Sequence, residues 1–100
     1  MLTHDDIVRA VNKVAPNHPV KWVAYFGSYA NGDQTEDSDL DLLVEFVKPN
    51  SYLNLISFKH NMEDELEVSV DVVSMPIVST SYLEIEREVP VYGQERQDFA

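Results

Sequence analysis

Two aspartates flank a leucine at the head of an apolar run, and their spacing suits cation binding. Asp39 and Asp41 are two positions apart, and on a β-strand such residues point to the same face, roughly 6.5–7 Å apart. Two carboxylates placed in this way can hold one or two hard cations, and Mg²⁺ prefers oxygen ligands while keeping waters and substrate phosphates in its shell. Two such ions can activate an attacking hydroxyl and stabilise a leaving phosphate. The pair therefore suggests a metal site that acts on phosphates.

A third aspartate interrupts a later valine-rich run. Asp71 stands between Val70 and Val72, and a charge at such a position is costly unless a metal ion or a hydrogen-bond donor pairs with it. If the strand of Asp71 pairs beside the strand of Asp41, the third carboxylate reaches the same cluster. We therefore group Asp71 with Asp39 and Asp41 as candidate catalytic and metal-binding residues.

A Gly-Ser turn precedes the aspartates and is suited to binding a phosphate. Gly27 and Ser28 follow an apolar run and precede a short helical segment. Glycine lets the backbone approach a ligand closely, and the amides at a helix start together with the serine hydroxyl can hold a phosphate.

Each of these features also has an ordinary structural explanation. An isolated Asp-x-Asp occurs often on solvated strand edges, and a Gly-Ser pair alone can be a plain strand-to-helix turn. The ordered combination of strand, Gly-Ser, short helix, acidic loop, Asp-x-Asp strand and a later strand with Asp71 is far less common by chance. The combination favours a phosphate-and-metal site.

The rest of the chain predicts the elements that position this site. Apolar periodicity and turn residues predict helices over residues 3–14, 28–31, 52–65 and 81–88, and strands over residues 20–26, 39–47, 67–73 and 90–93. Thr3 and Asp6 form a capping-box-like start of the first helix. The inner face of the helix over 52–65 is predicted to carry Tyr52, Leu55, Ile56, Lys59, Met62 and Leu66, with Leu53 and Phe58 outside it. The order predicts an α/β fold, a small mixed sheet with helices packed on it.

Length and composition indicate a single domain. The chain has 100 residues, of which 44% are apolar, enough for one core and too few for two. We expect one domain over residues 1–100, with residues 94–100 frayed. There is no cysteine, which excludes disulfides and cysteine-ligated zinc and fits a reducing compartment. The first residues lack the basic and apolar regions of a secretory signal, so a cytoplasmic location is expected.

The charge balance limits the possible partners. The net charge is −11, and such a surface repels nucleic-acid phosphates and anionic lipid. We therefore expect neither direct nucleic-acid binding nor membrane binding, whereas a basic protein partner is favoured. The charge can equally serve solubility alone.

The motifs together resemble the nucleotidyltransferase fold of the DNA polymerase β superfamily, with a palm-like sheet. The likeness extends to the minimal nucleotidyltransferases (MNT), antitoxins that accompany HEPN-domain toxins. It rests on Phe26-Gly27-Ser28-Tyr29-Ala30-Asn31-Gly32-Asp33, Asp37-Ser38-Asp39-Leu40-Asp41-Leu42-Leu43-Val44, Val70-Asp71-Val72-Val73 and Ile85-Glu86-Arg87-Glu88-Val89-Pro90-Val91-Tyr92-Gly93. The chain departs from the family pattern at Asn31, where the family usually has an arginine.

The resemblance implies a role for each matching residue. Gly27 and Ser28 would bind the β- and γ-phosphates of ATP, Asp39 and Asp41 would hold two Mg²⁺ ions, and Asp71 would share the ion that activates the acceptor hydroxyl. The implied reaction moves AMP from ATP to a tyrosine of the partner HEPN toxin and releases pyrophosphate.

Two other functions remain open from the sequence. The chain could neutralise a toxin by occlusion without catalysis, which the acidic surface and the apolar Leu53 and Phe58 favour. It could also modify a small molecule together with a separate partner subunit, since known enzymes of that kind carry an added helical domain.

Overall fold

The computed structural model describes residues 2–47, 52–75 and 88–93. Within these ranges the elements are α1 (His4–Val14), a 3₁₀ turn (Ala15–Asn17), β1 (Val20–Phe26), α2 (Ser28–Asn31), β2 (Leu40–Phe46), α3 (Tyr52–Leu66), β3 (Val70–Met75) and β4 (Glu88–Tyr92). The strands form one mixed sheet, which confirms the predicted α/β fold. None of the described helices has the length and apolar character that crossing a bilayer requires.

Helix α1 begins with the predicted capping box. The Asp6 amide donates to Thr3 Oγ1 at 3.1 Å, and the Thr3 amide donates to Asp6 Oδ2 at 2.9 Å. These bonds satisfy amides that have no partner within the first turn. The inward face of the helix is buried and consists of Ile7, Ala10, Val11 and Val14.

The strand order in the sheet is β3-β2-β1-β4. Strand β1 pairs antiparallel with β2 and β4, whereas β2 and β3 pair in parallel. Helix α3 forms the crossover between β2 and β3, as a parallel pair requires. The two inner strands are therefore β2 and β1. Asp41 lies on β2, and Gly27 directly follows β1.

The two faces of the sheet have different surroundings. The helix face packs against α1 and α3 and includes Val23, Tyr25, Leu40, Leu42, Val44 and Phe46. The opposite face, called the site face below, carries the smaller buried cluster of Trp22, Ala24 and Leu43, with Phe26 and Val73 packed against it. Leu43 therefore lies on the opposite face of β2 from Leu42 and Val44, as the alternation of side chains along a strand requires.

The predicted inner face of α3 is partly wrong. Phe58, predicted to lie outside it, is fully buried and packs edge-to-face on Phe46 and His18. Tyr52, predicted to lie inside, is 74% exposed, while Leu53 is 73% exposed as predicted. Apolar residues occupy most positions around the first turns of this helix, so their spacing alone does not identify the buried face.

Several predicted boundaries are corrected by the structure. Strand β2 begins at Leu40, so Asp39 precedes it, and β3 begins at Val70 rather than at residue 67. Glu67 has a positive φ of 58°, and its amide still donates to Glu63 O at the end of α3. Glu88, placed by the sequence in a helix over 81–88, is the first residue of β4. Residues 81–87 and 94–100 lie outside the described residues.

Glu63 connects α3 to the start of β3. Its Oε2 accepts the Val70 amide at 3.0 Å and Lys59 Nζ at 3.0 Å. The backbone hydrogen bond from Val70, followed by the hydrogen bond and charge of Lys59, lowers the pKa of Glu63 below its ordinary value of 4.5. This carboxylate therefore fixes the backbone one residue before Asp71.

We expect Glu63→Gln to lower the free energy of unfolding at neutral pH by about 1 kcal/mol, because a charged acceptor is lost from a half-exposed position. A carboxylate whose folded pKa is depressed stabilises the protein above its unfolded pKa and loses that effect as the pH falls through the folded pKa. The difference between wild type and variant should therefore shrink below about pH 4.5. Urea unfolding of wild type and variant at several pH values measures this difference in the free energy of unfolding.

Asp64→Asn is the matched control, since it removes the same charge from an exposed neighbouring position of α3. Asp64→Asn should change the free energy of unfolding by no more than about 0.5 kcal/mol. If the two variants lost the same free energy of unfolding, the role given to Glu63 would be contradicted.

Candidate active site

The register of β2 and β3 brings two of the predicted aspartates side by side. Asp41 is the parallel partner of Asp71, and the Leu40 amide donates to Ser69 O at 3.0 Å, one step earlier along the two strands. Both carboxylates belong to the site face, because Leu43 and Val73, two residues further along each strand, belong to the cluster on that face. The pairing on which the grouping of Asp71 with Asp41 depended is therefore present.

Asp41 lies at the centre of the carboxylate cluster. Burial raises its pKa above the ordinary value, and the nearby charges of Asp71 and Asp39, together with a hydrogen bond to Asp71, raise it further. Four described cations pair elsewhere: Arg9 with Asp6, Lys13 with Glu65, Lys21 with Glu45 and Lys59 with Glu63. The carboxylate of Asp41 is therefore repelled by those of Asp71 and Asp39 at one end of the sheet.

The Gly-Ser turn meets this cluster directly. Gly27 has φ 73° and ψ −145°, a conformation that essentially only glycine adopts. A Cβ at Gly27 would fall on Asp41 Oδ2. The Gly27 carbonyl accepts hydrogen bonds from the amides of Ala30 and Asn31 at 3.1 and 3.0 Å, and these bonds start α2. Ser28 is half-buried at the first position of that helix.

Sequence reasoning attributed the small size of Gly27 to the approach of a ligand. In the structure it also makes room for the Asp41 carboxylate. The two residues are distant in the sequence, and their contact follows from the antiparallel pairing that sets Phe26 opposite Asp41. No local sequence signal could have indicated this contact.

A row of four residues crosses the site face at this end. Asp71, Asp41, Phe26 and Glu88 are successive cross-strand partners, so their side chains share the face. Phe26 is half-buried and stands between Asp41 and Glu88. Neither Phe26 nor Glu88 was predicted to belong to the site, because the pairing of β4 with β1 is not visible in the local pattern.

The donor set suits a hard divalent cation. All three candidate ligands are carboxylates, and the crowding that raises the pKa of Asp41 is relieved by a positive charge. Among the described residues, no three histidine, aspartate or glutamate side chains are placed so that they could hold a metal ion by themselves. Because Mg²⁺ is usually bound through one or two carboxylates plus substrate phosphates, the residues fit an ion that binds together with a nucleotide.

Comparison with known proteins gives a family match over most of the chain. The family model described as "Nucleotidyltransferase domain" matches residues 7–94. A relative from Methanocaldococcus jannaschii with the provisional name protein adenylyltransferase MJ0128 is 38% identical over 79 residues, covering 78% of this chain and 81% of the relative. Protein adenylyltransferase MntA of Thermococcus cleftensis is 41% identical over 54 residues, which is 54% of each chain.

Solved structures share the fold. A protein described provisionally as a minimal nucleotidyltransferase is 35% identical, with a TM-score of 0.70 over 85% of this chain and 88% of its own. A toxin–antitoxin crystal structure with AMP-PNP is 21% identical, with a TM-score of 0.71 over 94% of this chain and 76% of that one. A chain from the complex of an MNT antitoxin with the tri-AMPylated Shewanella oneidensis HEPN toxin is 18% identical. The match has a TM-score of 0.61 and covers 90% of this chain and 69% of that one.

We expect Gly27→Ala to displace the Asp41 carboxylate and to weaken binding of Mn²⁺ with AMP-PNP by roughly 10–100-fold, as for changes to groups that orient metal ligands. The backbone strain should also lower the free energy of unfolding by about 1–3 kcal/mol. Titration calorimetry and urea unfolding measure the two effects.

Gly32→Ala is the control for strain alone. Gly32 also has a positive φ, of 81°, but a Cβ there would meet nothing within 4 Å. This variant should lose stability and keep its affinity for the nucleotide and metal. If Gly27→Ala bound them as tightly as Gly32→Ala does, the contact between Gly27 and Asp41 would have no part in the site.

Proposed function

The chain belongs to the nucleotidyltransferase domain family, and from that membership we propose that it is an antitoxin-type protein adenylyltransferase that transfers AMP from ATP to a tyrosine hydroxyl of a HEPN-domain toxin. The observation that carries the proposal is that Asp41 contacts the Gly27 turn and is the cross-strand partner of Asp71, with Asp39 two residues before it. Relatives named protein adenylyltransferase and structural neighbours described as toxin–antitoxin complexes support it.

The residues divide into a phosphate side and an acceptor side. Gly27 and Ser28 would bind the β- and γ-phosphates, since the turn leads into α2 beside Asp41. Asp39 and Asp41 would hold the Mg²⁺ ions, with Asp71 sharing one of them. Bound Mg²⁺ would neutralise phosphate charge and lower the pKa of the acceptor hydroxyl.

The acceptor would approach from the side of β3. Asp71 is exposed on this strand, which lies at the end of the described strand order. The tyrosine oxygen attacks the α-phosphorus, and the bond to the oxygen of the departing pyrophosphate breaks. Asp71 would accept the hydroxyl proton, while Asp39 and Asp41 would hold the Mg²⁺ ions that keep the α-phosphate in line with the attack.

The tyrosine would come from another protein. The net charge of −11 favours a partner with a basic surface, and the exposed position of Asp71 leaves room for a macromolecular acceptor. A HEPN toxin is the partner that the toxin–antitoxin neighbours indicate.

Occlusion of the toxin is the second candidate function. Tyr52 and Leu53 at the start of α3 are 74% and 73% exposed, and exposed neighbouring apolar residues suit protein contact. Helix α3 forms the crossover from the far end of β2, so this contact would lie away from the aspartates. Binding through it and adenylylation can occur in the same complex.

We expect wild-type protein with Mg²⁺ and ATP labelled at the α-phosphate to transfer label to the HEPN partner. Asp41→Asn should slow the transfer by at least about 100-fold, because it removes several kcal/mol of charge stabilisation in the transition state. Asp64→Asn removes the same charge far from the cluster and should transfer label like wild type.

The same proteins distinguish catalysis from occlusion. If Asp39→Ala/Asp41→Ala transferred no label yet neutralised the toxin as well as wild type, occlusion would be sufficient. The absence of label transfer by the wild-type protein would contradict the adenylyltransferase proposal itself.

A further inference from the structure

A pair of hydroxyl side chains closes the acidic loop ahead of β2. Ser38 Oγ accepts the Thr35 amide at 2.8 Å, and the Ser38 amide donates to Thr35 O at 3.1 Å. Thr35 Oγ1 accepts the Asp37 amide at 3.3 Å and lies 3.4 Å from Ser38 Oγ. We call these contacts the Thr35–Ser38 clasp.

Asp39 lies between the clasp and the sheet. It follows Ser38 directly and precedes the first residue of β2, so it is not part of a strand. The next residue, Leu40, is fully buried and donates its amide to Ser69 O. The backbone of Asp39 is therefore fixed by the sheet on one side and by the clasp on the other.

Electrostatic repulsion acts against this position. Asp39 stands two residues before Asp41, the cross-strand partner of Asp71. The loop itself carries exposed Glu36 and Asp37, so like charges surround this position. Asp39 is exposed, so an unrestrained loop would move this carboxylate away from Asp41 into water. The hydrogen bonds of the clasp oppose that movement.

We propose that Ser38 is a positioning residue that holds Asp39 beside Asp41 through the Thr35–Ser38 clasp. Ser38 acts through Asp39, and its hydroxyl is engaged by the loop backbone. The inference rests on the proposed function in one respect, which is that Asp39 binds the cation that accompanies the nucleotide. A preorganised ligand binds its cation with less reorganisation of the loop.

The first readout needs neither metal nor nucleotide. Amide hydrogen exchange, followed by NMR on the full chain, reports the Thr35 amide that Ser38 Oγ accepts. Ser38→Ala should exchange this amide roughly 5-fold faster or more, since one hydrogen bond of ordinary strength is lost. Ser38→Thr keeps the oxygen and should preserve the protection.

The second readout is binding of Mn²⁺ in the presence of AMP-PNP, measured by electron paramagnetic resonance of the free ion. Ser38→Ala should weaken Mn²⁺ binding by about 10-fold, at the lower end of the range for groups that orient metal ligands. Ser38→Thr should restore it. Thr3→Ala removes the α1 capping bond, so it lowers stability away from the loop and should leave Mn²⁺ affinity unchanged.

The outcomes separate this inference from the proposed function. If Asp39→Asn does not weaken Mn²⁺ binding, the proposed metal site is wrong, and the role of Ser38 is refuted with it. If Asp39→Asn weakens binding but Ser38→Ala does not, the metal site stands and the positioning role is refuted. An affinity loss in Thr3→Ala equal to that in Ser38→Ala would mean that only stability is affected, which also overturns the inference.

Discussion

Repulsion of the Asp41 carboxylate by Asp71 and Asp39, at one end of a small sheet, is the constraint on which the rest of the structure depends. Asp41 is partly buried between the charges of Asp39 and Asp71, and its pKa is raised as a result. Such an arrangement costs free energy in the absence of a cation. The fold must therefore supply the stability that keeps the carboxylates together, and a divalent cation arriving with a nucleotide would remove the repulsion.

One face of the sheet carries the apolar core that stabilises the fold, and the opposite face carries the carboxylates of the site. On β2, Leu40, Leu42 and Val44 are fully buried in the core beneath α1 and α3, while Asp41 points to the other face. Glu63 then fixes the start of β3 through the Val70 amide. Because the apolar residues fix the register of β2, a shift that separated Asp41 from Asp71 would also expose the core.

The sequence predicted local features well and non-local ones poorly. The capping box of α1 and the bounds of β1 and α2 depend on neighbouring residues, and all of them match the structure. Phe58 was misplaced because apolar residues surround the start of α3. The contact of Gly27 with Asp41 and the position of Glu88 beside Phe26 depend on strand pairing between distant segments, which periodicity does not determine. The family resemblance implied transfer of a nucleotidyl group, and the family match supports it.

A crystal structure of the protein with AMP-PNP and Mn²⁺, with anomalous data collected for manganese, tests the central claim most directly. The account predicts an anomalous peak within coordination distance of carboxylate oxygens of Asp39 and Asp41, with the terminal phosphates of the nucleotide at Gly27 and Ser28. An ordered nucleotide bound elsewhere, or a manganese peak that touches neither aspartate, would contradict it.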